Sequence, residues 1–163
     1  MMSKAREEAV WKRVMAMAAE APEPMPCHRP QPDRGLTEAQ LLELLDRERT
    51  DACTYRTLAA RTKGQVRRCL QQLALEERQH GRKLETMYYL LTGRKPCPDR
   101  PKAPCVACFN EELRRRYEQE RGAASQYRKL AEQESTFGHI FRHLALEEER
   151  HGEMILRLLE QCL

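Results

Sequence analysis

The chain has 163 residues, of which 33% are charged and 40% hydrophobic, and its formal net charge is +4. That length suits one domain with a sizeable core. The weak charge, with both signs interspersed, argues against a nucleic-acid footprint, and no apolar run approaches the roughly 20 residues of a membrane span.

The opening residues MMSKAREEAVWKRV contain no apolar signal core. A cytosolic protein is therefore expected, with most of its seven cysteines as thiols. Residues of strong β preference are scattered, and no stretch alternates over strand length, so the expected class is all-α.

In chain order, residues 3–20 read as a short amphipathic helix with Val10, Trp11, Val14 and Met17 on its apolar face. Trp11 is expected to anchor it on the bundle or on a second subunit. Residues 21–36, with five prolines, read as a linker. Thr37, with Gln40 three residues on, forms a capping box that opens a helix reaching about Thr62. Gly64 marks a tight turn, and a second helix covers roughly 65–92 with Gly93 as its C-terminal cap. Residues 94–108 form a crossover rich in Pro and Cys. Asn110 is the expected cap of a third helix over about 110–133, and after a break at 134–136 a fourth runs to the C-terminus. The domain reading is thus 1–36 as helix and linker and 37–163 as a four-helix bundle of two hairpins joined by a long connection.

The hairpins repeat each other. Leu73-Ala74-Leu75-Glu76-Glu77-Arg78-Gln79-His80-Gly81 corresponds to Leu144-Ala145-Leu146-Glu147-Glu148-Glu149-Arg150-His151-Gly152, and Glu48 with Tyr55 seven later corresponds to Glu120 with Tyr127. A duplicated hairpin explains both matches.

Heptad spacing marks the inward face of each helix. The seam runs through Leu41, Leu45, Glu48, Ala52, Tyr55 and Ala59 in the first helix. In the second it runs through Val66, Leu70, Leu73, Glu77, His80, Leu84, Met87 and Leu91. In the third it takes Leu113, Tyr117, Glu120, Ala124, Tyr127 and Ala131, and in the fourth Phe137, Phe141, Leu144, Glu148, His151, Ile155, Leu158 and Cys162. Four glutamates and two histidines therefore interrupt a greasy stripe. At about 1.5 Å per helical residue they lie at one height relative to their hairpin turns. Buried clustered carboxylates are too costly for a protein of ordinary stability unless cations neutralise them. Carboxylate oxygen with imidazole suits iron or manganese. Two Glu-x-x-His helices, each with a partner helix supplying a lone Glu, form the di-metal carboxylate pattern.

With these residues in place the chain resembles the rubrerythrin branch of the ferritin-like superfamily over about residues 37–162. The resemblance implies a ferritin-like bundle holding two iron ions, with Glu77 and Glu148 as bridging carboxylates. It makes Glu48 and Glu120 terminal carboxylates and gives His80 and His151 one metal each. It places Tyr55 and Tyr127 in hydrogen bonds to ligand carboxylates. It also implies NAD(P)H-linked peroxide reduction through an external electron carrier such as a separate rubredoxin, and a homodimer or larger homo-oligomer. The sequence departs from the pattern twice. The third helix has Gly122, Ala123 and Ala124 where these proteins usually carry an extra Glu, and the four-Cys rubredoxin module is missing from this sequence.

Other residues carry less chemistry. Cys97, Cys105 and Cys108 are read as linker thiols, with zinc binding (Cys27 or His28 as a fourth ligand) or redox activity as the alternatives. Cys162 is assigned to the core, and Cys53 and Cys69 have no assigned role. His139 and His143 are placed on the surface, Tyr117, Tyr88 and Tyr89 in packing. Glu76 and Glu147 are read as solvated neighbours of the ligands, with support of the histidines as the alternative. The leading function is reduction of peroxide or O₂. Ferroxidase or iron handling comes second, then manganese catalase or a di-iron hydroxylase, and last a non-enzymatic structural or sensing bundle.

Overall fold

The computed structural model describes residues 36–98, 101, 105–134 and 136–160. The expected helix at 3–20, the linker as far as residue 35 (with Cys27 and His28) and Cys162 lie outside the described residues. Among the described residues there are four helices: α1 Glu38–Ala60, α2 Gly64–Thr92, α3 Phe109–Gln133 and α4 Gly138–Glu160. No strand occurs among the described residues. The fold is an all-α four-helix bundle of two hairpins, α1–α2 and α3–α4. None of these helices is long and apolar enough to cross a membrane.

Local chemistry sets most of the boundaries. Thr37 Oγ1 accepts from the Gln40 N–H while Gln40 Oε1 accepts from the Thr37 N–H, so two orphan donors of the first turn are satisfied. Contrary to the sequence reading, α1 stops at Ala60, because the bonds from Arg61 to Leu58 and from Thr62 to Ala59 tighten its end. Gly64 (φ 60°) and Gly93 (φ 69°) occupy the left-handed region, where a side chain would be strained. Asn110 does not cap the third helix. Cys108 holds that position without a side-chain cap bond, and helix begins at Phe109, one residue earlier than expected, where Phe109 packs with Val106 on an apolar cluster.

Two apolar plugs fill the bundle. One joins Leu41, Leu44, Leu45, Leu84, Met87, Tyr127, Phe137, Phe141 and Leu144, the other Tyr55, Leu58, Leu70, Leu73, Leu113, Ile155 and Leu158. The first plug collects the start of α1 with the end of α3, and the second reverses this, so the order of directions is up, down, down, up. The crossover must then travel the bundle's length between the parallel helices α2 and α3. A 15-residue segment reaches about 50 Å when extended, enough for this span.

The seam holds at every position of α1 and at all seven described positions of the last helix. It fails at three places, of which Val66, half-buried at the start of α2, is the mildest. Leu91 is 48% exposed while Tyr88 is buried, and Tyr117 is half-buried while Arg116, one residue earlier, is 1% exposed. A straight helix drifts by about 20° per heptad from an exact 3.5-residue repeat, so the inward position slips to a neighbour away from the centre.

Candidate metal centre

Between the two plugs lies a polar layer. Glu48, Glu77, His80, Glu120, Glu148 and His151 are each at most 1% exposed. Those from α2 and α4 form a tight group. Glu77, His80, Glu148 and His151 each offer one ligand atom within 4.8 Å of all the others, a set that could hold a metal ion.

Both imidazoles turn Nδ1 toward this centre. His80 Nδ1 lies 3.3 Å from Glu48 Oε2, 3.2 Å from Glu77 Oε2 and 3.0 Å from Glu148 Oε1. His151 Nδ1 lies 2.8 Å from Glu77 Oε1 and 3.3 Å from Glu148 Oε2. The rings stack with centroids 5.2 Å apart. Glu77 and Glu148 thus sit between both histidines, Glu48 beside His80 alone.

The donor set fits metal ions by a direct test. Both carboxylate oxygens of Glu77 and of Glu148, with His151 Nδ1 and His80 Nε2, are buried without a hydrogen-bond partner. Apart from His80 Nε2, which faces Glu147, these atoms are close together but misaligned for bonding to each other. Orphaned buried acceptors cost about 1–3 kcal/mol each, more when charged, and cations between them remove that cost.

Around the centre the hairpins exchange support. Tyr55 on α1 donates to Glu120 on α3, and Tyr127 on α3 donates to Glu48 Oε1 on α1 at 2.5 Å. Each of these Oε1 atoms also meets an arginine: Arg47 Nη2 lies 3.1 Å from Glu48, and Arg116 Nη2 lies 3.2 Å from Glu120. Arg116 is completed by Asp51 at 2.7 Å and Gln119 at 2.7 Å. The tyrosines stand two turns from the glutamate of their own helix, yet each serves the glutamate of the opposite hairpin. Asp51 and both arginines carry no role in the sequence reading.

Glu76 and Glu147 are not solvated bystanders. Glu76 Oε2 accepts from His151 Nε2 at 2.9 Å, across from α2 to α4. Glu147 Oε2 lies 3.2 Å from His80 Nε2, off the hydrogen-bond line because Lys83 (2.5 Å) and His143 (2.9 Å) share that oxygen. A carboxylate on the outer ring nitrogen fixes the tautomer that leaves Nδ1 free to bind a cation. Glu76→Gln and Glu147→Gln should each weaken metal binding about 10- to 100-fold, measured by competition with a chromophoric chelator.

Protonation follows from the same crowding. Burial and the neighbouring Glu148 charge push Glu77 up to about 8. Burial opposes charging of the histidines, but the surrounding carboxylates win: His151 is pushed up to about 12 and His80 well above its usual range. Burial also opposes ionisation of Glu76, yet His151, Gln72 and Arg150 hold it down to about 2. Without metal the centre therefore stores protons at neutral pH. Metal uptake should release them, and apparent affinity should weaken as pH falls. Calorimetry in two buffers of different ionisation enthalpy measures the release.

The remaining candidates lie elsewhere. Cys97, Cys105 and Cys108 are exposed free thiols, and none joins a metal-binding group among the described residues. Cys53 is buried and Cys69 partly so. His139 and His143 are exposed. Tyr88 packs at the first plug and donates to Glu38, whereas Tyr89, expected in packing, is 52% exposed on the outer face of the helix.

A family model described as Rubrerythrin matches residues 41–159. The chain belongs to the rubrerythrin family. The match spans all four helices and includes all six buried groups of the polar layer. Rubrerythrins are di-iron carboxylate proteins, and the buried Glu and His set agrees with that class. No curated protein and no solved structure matches the chain.

Proposed function

We propose that the chain is a di-iron oxidoreductase that reduces peroxide, or O₂, with electrons from an external carrier such as a rubredoxin. One observation carries the reading: the four carboxylate oxygens of Glu77 and Glu148 and His151 Nδ1 are buried without hydrogen-bond partners, in a group that His80 completes with all ligand atoms within 4.8 Å of one another. Hard oxygen donors with imidazole favour iron, with manganese the nearest rival.

Glu48 and His80 would hold one ion, Glu120 and His151 the other, with Glu77 and Glu148 shared. Two ferrous ions supply the two electrons needed to cleave an O–O bond. The chain's own part is positioning. Tyr127 with Arg47, and Tyr55 with Arg116, occupy Oε1 of the terminal glutamates, which leaves Oε2 for an ion. Glu76 and Glu147 orient the imidazoles, and the two apolar plugs keep water out along the bundle axis.

A second reading, ferroxidase with ferrous iron as substrate, gains support from α3. Buried Ala123 and Ala124 stand where the family resemblance puts a further carboxylate, so no added ligand comes from that turn. Stopped-flow mixing of the ferrous protein with peroxide and with O₂ separates the two. Faster oxidation by peroxide is expected. Faster oxidation by O₂ with mineral growth would replace the proposal by the ferroxidase, and a protein that retains only zinc would end both.

A further inference from the structure

The duplicated hairpins can be compared residue by residue on their outer surfaces. Each carries a groove between its two helices, lying over the wall of the polar layer. The floor of the first is Ala52, Cys53 and Gly81, and that of the second Ala124, Ser125 and Gly152. A Cβ placed on Gly81 would lie 4.0 Å from the Glu48 Cβ, and one on Gly152 3.9 Å from the Glu120 Cβ. Only one layer of atoms separates each groove from a candidate ligand.

The rims differ. Arg49 and Arg56 on α1 correspond to Arg121 and Arg128 on α3, but Arg78 and Arg82 on α2 stand where α4 carries Glu149 and Glu153. Among the described residues, the first groove thus sets four arginines against Glu85 alone, and the second sets two arginines against two glutamates. In the second the charges are satisfied locally. Arg128 pairs with Glu149, Glu153 lies 3.8 Å from Arg157, and Arg121 donates to the Tyr117 hydroxyl at 3.2 Å. Among the described residues, none of the first groove's four arginines has a side-chain ion pair or hydrogen bond.

The second hairpin reaches the same fold over a neutral rim, so the fold does not require the arginines of the first. Four guanidinium groups around one concavity repel one another and create a local positive field that an anion relieves. Their planar forks match phosphate and carboxylate oxygens. The concavity encloses about 360 Å³, a volume of small-molecule size. We infer that the groove of the first hairpin binds a small oxyanion ligand bearing phosphate or carboxylate groups, close against the wall behind Glu48 and His80.

The test is calorimetric titration of the full chain at low ionic strength with inorganic pyrophosphate, and separately with succinate. Saturable binding of either probe at one site per chain, weakened by salt, is the expected result, and the tighter probe assigns the ligand class. Arg78→Glu with Arg82→Glu, which copies the second groove, should weaken binding at least about tenfold, roughly the loss of one strong charge contact. The reverse exchange, Glu149→Arg with Glu153→Arg, should create a second site, and it keeps the test decisive if the first variant misfolds. Binding of neither probe, or binding unchanged by both exchanges, would overturn the assignment. Unchanged binding would place the anion at the polar layer instead.

Discussion

Glu77→Gln should abolish binding of the ion pair while leaving the metal-free protein at least as stable as the parent, whereas Glu148→Gln should abolish it and also lower the stability of the metal-free protein. For Glu77 the two effects have opposite signs because burial and the Glu148 charge make its carboxylate costly without metal, whereas His151 and His80 hold the Glu148 carboxyl well below its usual range. Glu77 and Glu148 are buried and mutually repulsive, and none of their four oxygens has a hydrogen-bond partner. At position 77 glutamine keeps the shape and removes the charge, so the metal-free bundle loses a repulsion; at position 148 it removes the countercharge of two histidines. With metal present the balance at position 77 reverses. A ligand at 100 times its dissociation constant stabilises the folded state by about 2.7 kcal/mol. In a chain of this size that corresponds to a rise of roughly 5–10 °C in Tm. The parent should show this rise with ferrous iron, and the variants should not. Thermal melts with and without iron, alongside metal content, measure both signs. A variant whose iron-dependent rise equals the parent's would remove that residue from the shared position.

Arg116→Met should be the most destabilising single change at a residue that is not a proposed ligand. Arg116 is 1% exposed and binds Asp51, Glu120 and Gln119 at once. Its loss leaves Asp51, itself 6% exposed, without its countercharge and takes one of two donors from Glu120 Oε1. Breaking a buried pair by removing one partner costs about 3–5 kcal/mol, because the remaining charge stays buried. The expected fall in Tm is on the order of 10 °C. Adding Asp51→Leu to Arg116→Met should restore much of the loss, since an apolar pair of similar volume replaces an ion pair at little cost. A double variant as unstable as the single one would show that Arg116 matters through Glu120 and the polar layer, not through Asp51. Denaturant unfolding of both variants separates the cases.

Much of this architecture could be read before any coordinates, for physical reasons that differ by residue. The seam was legible because burial in a bundle repeats every three or four residues, so six ionisable groups on that stripe stand out against Leu, Ala and Phe. The Thr37–Gln40 cap and Gly93 were legible because their bonds are local. Arg116 was not, because an arginine defaults to the surface in a sequence reading, and its deciding partner Asp51 lies 65 residues away on another helix. Its position one turn before Glu120 was the available signal. Glu76 and Glu147 were misread for a related reason. They lie one residue off the seam of their own helices, but each faces the histidine of the opposite hairpin. The doubled Glu-Glu in both repeats, together with the second nitrogen of each imidazole, pointed to them. The crossed tyrosines follow the same rule: spacing within a helix leaves open which carboxylate each tyrosine serves, and packing between hairpins gives Tyr55 to Glu120.

Anomalous diffraction at the iron edge, on crystals grown anaerobically with ferrous iron, tests the central claim most directly. The account predicts two peaks per chain in the buried layer, one beside Glu48 and His80, the other beside Glu120 and His151, with Glu77 and Glu148 between them. An iron-free layer with its carboxylates protonated and hydrogen-bonded to one another, or iron found only at the bundle surface, would contradict it.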